Sequence, residues 1–162
     1  SVWMLVGSAG FVLALVLLVA APLADVSGMA PFAALDAVWA GVLGTVLGAA
    51  GVTLTLIAQL AMGDSWRIGV DASERTELVT SGVFARVRNP IFTAMLIATV
   101  GLVLLVPNPV CVAALVVLAA ALEVQVRLVE EPYLARTHGA AYERYRATTG
   151  RFLPTLGARS TA

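Results

Sequence analysis

The sequence predicts an all-α protein that crosses a membrane with about four helices and ends in a short cytoplasmic helix. The first observation is composition: 60% of the 162 residues are hydrophobic and 12% are charged, whereas about a quarter of residues are charged in soluble domains. The second is the gathering of apolar residues into separate runs. A lipid-exposed run must satisfy its own backbone hydrogen bonds, and a helix does this within one segment.

The four apolar runs cover residues 2–21, 35–62, 91–106 and 110–126. The first is about as long as a full span of roughly 20 residues. No positively charged segment precedes it, so we interpret it as an anchor rather than a signal peptide. The third and fourth runs are separated only by Pro107-Asn108-Pro109, where proline ends one helix and begins the next. These two helices are expected to form a tight antiparallel hairpin.

The chain is predicted to divide into an N-terminal two-helix membrane anchor, residues 1–62, and a catalytic region, residues 63–162, within one integrated domain. Within the catalytic region a short helix is predicted over residues 140–149, after the break at Gly139. In the second apolar helix, Gly44 and Gly48 have the GxxxG spacing that lets helix backbones approach closely. This pair serves either packing within the chain or the seam of a homodimer, and the sequence leaves both open.

The arginines predict the orientation. All ten basic residues are arginines, and none precedes Arg67. In the loop of residues 22–34 the only charged residue is Asp25. By the positive-inside rule the central loop and both termini are cytoplasmic. We therefore expect an integral protein of a bacterial inner membrane with its polar clusters on the cytoplasmic side. The chain has no basic patch with interleaved aromatic residues, which argues against nucleic-acid binding.

The first polar cluster lies at the end of the fourth apolar helix. Glu123 and Arg127 are four residues apart and share a helix face, to which Glu130 returns within about 20 degrees in a regular α-helix. Charges at this depth are expected to pair or to face water. The row is either a structural ion-pair ladder or part of a site in which Glu130 and Glu131, near the aromatic ring of Tyr142, hold a cationic ligand or a ribose.

The second polar cluster begins the third apolar helix. Gly82 permits a tight turn, Arg88 can bind a carboxylate, and Asn89 and Pro90 suit the N-cap and first helical positions. On the same membrane side as the carboxylate pair, this cluster completes a predicted cofactor pocket. The sequence has no clustered histidine or cysteine for a metal and no phosphate-binding glycine loop. Displacement at a sulfonium methyl group fits best, because such a reaction mainly needs alignment.

Several short motifs follow one another in this half of the chain. They are Gly82-Val83-Phe84, Arg88-Asn89-Pro90-Ile91-Phe92, Asn108-Pro109, Glu130-Glu131, Gly139-Ala140-Ala141-Tyr142-Glu143-Arg144-Tyr145 and Phe152-Leu153-Pro154. With this order and spacing, the chain from about Trp66 to Pro154 resembles the isoprenylcysteine carboxyl methyltransferase family, part of a wider group of membrane methyltransferases that includes phospholipid methyltransferases. Asn89 stands where that family carries histidine, and Phe84 and Phe92 stand where it carries tyrosine.

The resemblance implies S-adenosylmethionine as cofactor, held by Leu78, Val79, Phe84, Asn89, Pro90, Ile91, Phe92 and Glu130. The chemistry of the two polar clusters adds Gly82, Arg88, Glu131 and Tyr142 to this set. Arg127 stands close to the sequence position at which the family carries an arginine directed toward the substrate. Glu123 is predicted to hold the guanidinium of Arg127. Arg127 and Glu123 are therefore the predicted catalytic pair.

We therefore predict a membrane methyltransferase that uses S-adenosylmethionine on a lipophilic acceptor, either an isoprenylcysteine-like carboxylate or a lipid headgroup. Two alternatives remain. A sterol-type membrane reductase would use NADPH, against which the carboxylate pair and the lack of grouped basic residues for a 2′-phosphate both argue. A non-enzymatic membrane scaffold explains the helices but leaves the clustered polar residues unexplained.

Overall fold

The computed structural model describes residues 2–62 and 77–155, and the regular elements in these ranges are helical. In chain order they are α1 (Val2–Val26), α2 (Val38–Met62), a 3-10 turn (Gly82–Ala85), α3 (Pro90–Leu105), α4 (Pro109–Gln125), a π-helix (Val126–Glu130), α5 (Glu131–His138) and α6 (Ala140–Thr148). The predicted all-α fold is confirmed. Arg67 and Arg75, on which part of the predicted orientation depends, lie outside the described residues.

Three stretches are long and apolar enough to cross a membrane: α1, α2 and the continuous helical run Pro109–His138. The third predicted run forms α3, an apolar helix of 16 residues that is shorter than these three stretches, so the number of four spans stays a prediction. Most side chains of α1 and α2 point outward although they are apolar; Val12 and Val46 are each 58% exposed. Such a surface suits contact with lipid tails rather than water. The chain is an integral membrane protein.

The helices pack in two pairs, α2 against α3 and α1 against α4, and α3 contacts α4 as the other arm of their hairpin. Each of the first two helices thus packs on a helix of the second half of the chain. Glycine allows the close approach of α2 and α3, because a Cβ built on Gly101 would lie 2.5 Å from the backbone nitrogen of Gly48. The GxxxG pair therefore serves packing within the chain, and a homodimer stays a prediction.

One end of the helix bundle is fastened by Asn108, whose side chain is fully buried. Its Oδ1 accepts a hydrogen bond from the backbone N–H of Cys111 at 3.0 Å, which caps α4, and its Nδ2 donates to the carbonyl of Ala21 at 2.8 Å. The asparagine between the two prolines therefore ties the end of α1 to the start of α4. The polar clusters lie at the opposite end.

The fourth helix extends beyond its apolar run and carries the first polar cluster at its end, as predicted. It continues through the π-helix into α5, and the helix ends only before Gly139, where φ is +52°. A positive φ is the left-handed region that favours glycine. The predicted short helix over residues 140–149 is present as α6, one residue shorter.

Candidate cofactor site

A segment of the C-terminal region, residues 149–153, crosses the start of α3; we call it the strap. The backbone N–H of Arg88 donates to the carbonyl of Gly150 at 2.8 Å, and that of Asn89 donates to the carbonyl of Arg151 at 3.1 Å. Further along α3, the Thr93 hydroxyl donates to the carbonyl of Phe152 at 2.9 Å. The strap thus brings the end of the described chain against the first turn of α3.

Glycine is required where the strap turns back. A Cβ built on Gly150 would lie 1.8 Å from the carbonyl oxygen of Leu153, far inside van der Waals contact. Only a residue without a Cβ allows this turn, which sets the position of the following residue, Arg151.

The centre of the site is an ion-pair cluster in which Glu131, at the start of α5, binds two arginines. Arg151 donates from Nε to Oε1 at 2.7 Å and from Nη2 to Oε2 at 2.9 Å, and Arg88 donates from Nη2 to Oε1 at 2.9 Å. The side chains of Arg88 and Glu131 are only 9% and 11% exposed. The two polar clusters noted in the sequence therefore contact each other directly.

Arg88 has more donors than this cluster uses. Its Nε and Nη1 are buried and have no hydrogen-bond partner among residues 2–62 and 77–155. Buried donors are almost always paired, since an unmade hydrogen bond costs about 1–3 kcal/mol. The guanidinium therefore has unused capacity to bind an anionic group.

Glu130 lies apart from this cluster, because the π-helix changes the helical register. A π-helix has i to i+5 hydrogen bonds, and its extra residue per turn rotates the later residues by roughly 100 degrees relative to a regular α-helix. The prediction that Glu130 shares a face with Glu123 assumed regular geometry and is wrong. Arg151 instead links Glu123 and Glu131.

Glu123 and Arg127 form the predicted ion pair through the Arg127 Nε. Their side chains are 41% and 58% exposed, so the pair is accessible from outside the helix bundle. Arg151 approaches the same carboxylate, with its Nη1 at 3.8 Å from a Glu123 oxygen. The exposed pair is thus connected to the buried cluster through one arginine.

Two tyrosines of α6 lie beside the ion-pair cluster. Tyr142 is 1% exposed and meets the ring of Tyr145 edge to face, with ring centroids 6.4 Å apart. The Tyr145 hydroxyl donates to the carbonyl of Phe84 at 2.6 Å, and burial raises the pKa of Tyr145 to about 12. It is therefore a neutral donor at physiological pH. Burial, helped by the negative charge of Glu131, also raises the pKa of Tyr142.

Asn89 occupies the N-cap position of α3 and Pro90 its first helical position, as predicted. The Asn89 side chain makes no cap hydrogen bond, which corrects the expectation that it caps the helix. Its Nδ2 donates instead to the carbonyl of Arg151 at 3.1 Å. The strap carbonyl faces this amide, so the side chain fastens the strap rather than the helix end.

The remaining predicted residues are spread around this centre. Gly82 is exposed with φ +61°, as a tight turn needs. Leu78, Val79 and Ile91 are half-buried. Phe92 packs, as Phe152 of the strap does, against the core formed by Ala14, Leu118 and Leu122.

Two residues of the site were not predicted: Arg151 and Thr93. Arg151 directly precedes the motif Phe152-Leu153-Pro154, but its pairing with Glu131 spans 20 residues and depends on the turn at Gly150. Thr93 looked like an ordinary helix residue.

Comparison with known proteins gives the family. A family model described as phospholipid methyltransferase matches residues 39–141, which is more than half of the chain. The chain belongs to this family of membrane methyltransferases. The matched residues include α3, the π-helix and both carboxylates of the Glu130-Glu131 pair. None of the curated proteins compared with the chain matches it.

The fold is also similar to that of a solved structure, the eukaryotic intramembrane Ras methyltransferase isoprenylcysteine carboxyl methyltransferase. The TM-score is 0.71 at 23% sequence identity, over 90% of this chain and 52% of that one. The phospholipid methyltransferase family member described here thus spans about half the length of that protein. The likeness confirms the predicted membrane fold.

Proposed function

We propose that this protein transfers a methyl group from S-adenosylmethionine to a lipophilic acceptor, at the end of the bundle where the strap crosses α3. The observation that carries the proposal is Arg88, a nearly buried guanidinium with two unpaired donors in a chain of a methyltransferase family. A buried arginine of this kind is suited to a planar anionic group such as a carboxylate.

The polar groups present fit the cofactor. S-adenosylmethionine carries a carboxylate, an ammonium group and ribose hydroxyls. The Nε and Nη1 of Arg88 would hold the carboxylate, and Glu130, whose carboxylate is not taken by the arginines that bind Glu131, would accept hydrogen bonds from the ammonium group or the ribose. When bound, the cofactor supplies a methyl group already activated on a sulfonium. The chain then has mainly to align the acceptor.

An apolar groove beside the strap supports a lipophilic acceptor. It has a volume of about 400 Å³ and is lined by Leu47, Thr93, Leu96, Ile97, Val100, Phe152 and Leu153. The four α3 residues follow the i, i+3, i+4, i+7 spacing of a single helix face. This groove lies along a membrane helix and ends at the strap, so a hydrocarbon chain within it would bring its head end to the site.

The exposed ion pair of Glu123 and Arg127 is suited to orienting the acceptor. Because Glu123 holds the Arg127 guanidinium and both side chains are accessible, the arginine can meet an anionic or carbonyl group without first being taken out of a buried pair. The arginine asymmetry of the sequence supports a cytoplasmic site with both termini on the same side.

The proposal is tested by methyl transfer in nanodiscs. Purified protein is incubated with S-adenosylmethionine labelled on the methyl group, together with a bacterial lipid extract or an isoprenylcysteine analogue. We expect label to enter the organic phase, inhibition by S-adenosylhomocysteine, and loss of transfer in Glu130→Gln but not in Glu143→Gln, which changes an exposed residue of α6. Transfer that is equal in the two variants, or absent with both acceptor classes, would contradict the proposal.

A further inference from the structure

We infer that Arg151 is a positioning residue, which fixes the acceptor-orienting pair of Glu123 and Arg127 relative to the cofactor. It does so by joining that pair to the buried cluster in which Glu131 binds Arg88. The inference rests on the proposed function, because it assumes that Arg88 lies at the cofactor and that Arg127 meets the acceptor.

The five side chains form one row of alternating charge. Arg127 donates to a Glu123 oxygen through its Nε. Arg151 lies next in the row, with its Nη1 3.8 Å from the same Glu123 oxygen and its Nε and Nη2 at 2.7 and 2.9 Å from the two oxygens of Glu131. Arg88 ends the row on Glu131. Side-chain exposure falls from 58% at Arg127 to 9% at Arg88, so the row runs from the surface of the bundle into its interior.

Arg151 is the link between the two ends of this row. In the part of the chain that the structure describes, no other side chain pairs with both carboxylates. A guanidinium is a rigid planar fork, so the two hydrogen bonds to Glu131 also fix where the remaining Nη1 points, which is toward Glu123. The two glutamates lie on either side of the π-helix. Arg151 therefore spans the change of helical register.

The strap holds Arg151 from the backbone side as well. Its carbonyl accepts hydrogen bonds from the backbone N–H and the side-chain Nδ2 of Asn89, both at 3.1 Å, and Gly150 before it makes the turn that only glycine allows. The next two residues, Phe152 and Leu153, line the apolar groove. Arg151 thus lies where the groove meets the ion-pair row, and the fold itself sets its position.

Stability alone does not account for the contact with Glu123. The two hydrogen bonds to Glu131 already clamp the strap to α5, and an ion pair with a carboxylate that is 41% exposed adds little to folding. A reaction rate is far more sensitive to geometry, because a misplacement of about 1 Å can cost about 100-fold. The contact is therefore expected to act on methyl transfer.

A double-mutant cycle on methyl transfer tests the inference. The acceptor is whichever of the lipid extract and the isoprenylcysteine analogue the wild type methylates, and kcat is measured for wild type, Arg151→Lys, Arg127→Ala and the double variant. Lysine keeps the charge, but its single ammonium lacks the fork that reaches both Glu131 and Glu123. We expect Arg151→Lys to lower kcat about tenfold while S-adenosylhomocysteine affinity stays within about threefold. The double variant should be no slower than Arg127→Ala, because a residue that acts only through another adds nothing once that other is changed.

Arg144→Lys, at an exposed position of α6, controls for the exchange of arginine for lysine and should behave as wild type. Fully additive effects of the Arg151 and Arg127 changes on kcat would show that Arg151 acts by another route and would overturn the inference. Wild-type kcat in Arg151→Lys would overturn it also, and so would a loss of S-adenosylhomocysteine affinity as large as the loss of kcat.

Glu123→Asp gives an independent test that leaves Arg151 in place, also if Arg151→Lys fails to fold. Aspartate is shorter by one methylene, about 1.5 Å, so it loses the contact with Arg151 that is already 3.8 Å long. It can still pair with Arg127, because aspartate and arginine four residues apart on a helix are neighbours. We expect the same drop in kcat, about tenfold, with unchanged S-adenosylhomocysteine affinity. Wild-type kcat in Glu123→Asp would overturn the inference.

Failure of the proposed function gives a different result. Absence of both S-adenosylhomocysteine binding and methyl transfer in wild-type protein would overturn the proposed function together with this inference. Wild-type binding and transfer, combined with additive or unchanged kcat in the variants, would overturn the inference alone.

Discussion

Arg151 binds both carboxylate oxygens of Glu131, at 2.7 and 2.9 Å. This bidentate pair connects the strap to the start of α5, while Arg88 brings the start of α3 to the same carboxylate. Three segments far apart in sequence are thus held by one acidic residue. Glu131 therefore holds these three segments together, and binding of the cofactor by Glu130 stays a prediction.

Replacing Arg151 with glutamine should destabilise the protein. Breaking a buried ion pair by removing one partner typically costs about 3–5 kcal/mol, and we expect the lower end because Arg151 is 24% exposed and Arg88 remains. The measurement is thermal unfolding in detergent. Arg146→Gln is the control, since its pair with Glu143 is about half exposed and exposed pairs contribute at most about 1 kcal/mol. Equal melting temperatures for the two variants would contradict the assignment.

The raised pKa of Tyr145 predicts that the stability of the protein falls at high pH. Burial raises its pKa to about 12, above the usual value near 10. The stability linked to this group is present below pH 10 and is lost as pH rises through about 12. A spectroscopic titration of tyrosinate should show one group near pH 12 that is missing in Tyr145→Phe. The same variant should lose about 1 kcal/mol at neutral pH, from the hydrogen bond to Phe84. An unchanged titration curve would contradict this.

The four apolar helices and the short final helix were predictable because hydropathy and helix boundaries are local properties. Asn108-Pro109 and Gly139 mark element ends through their own backbone preferences. The orientation of Glu130 was not predictable, because the π-helix that rotates it begins where the apolar run ends, and no apolar periodicity follows that would show the change of register. The pairing of Arg151 with Glu131 was also hidden, since it depends on where the chain returns after α6.

Asn89 shows a second limit of sequence reasoning. Asparagine before proline at a helix start is a strong N-cap pattern, and the position is correct. The side-chain amide of Asn89 instead donates a hydrogen bond to a carbonyl of the strap, 62 residues further along the chain. The strap contact uses the amide as a donor, whereas an N-cap uses its oxygen as an acceptor, so here a tertiary contact overrides the local preference.

Arg127→Ala should reduce methyl transfer and leave S-adenosylhomocysteine affinity within about threefold, because Arg127 pairs only with exposed Glu123 in the described structure. The measurements are transfer rate and binding by the same preparation. Arg144→Ala, on the exposed side of α6, is the control and should change neither. A large loss of analogue binding in folded Arg127→Ala protein would place this residue in the cofactor pocket instead.

Orientation can be measured by cysteine labelling in intact cells. Ser27 and Ser81 are both exposed and lie at opposite ends of the helices, while the natural Cys111 is buried. We expect a membrane-impermeant maleimide to label Ser27→Cys but not Ser81→Cys unless the cells are opened. Labelling of Ser81→Cys from outside would reverse the predicted topology.

The most direct test of the cofactor assignment is an equilibrium titration of purified protein with S-adenosylhomocysteine and with NADPH. We expect saturable binding of the former alone, weakened at least tenfold in Arg88→Lys, because lysine keeps a charge for Glu131 but lacks the two spare donors of arginine. Arg86→Lys, exposed and two residues away, should bind like wild type. Binding of NADPH, or equal S-adenosylhomocysteine affinity in both lysine variants, would contradict the site proposed around Arg88.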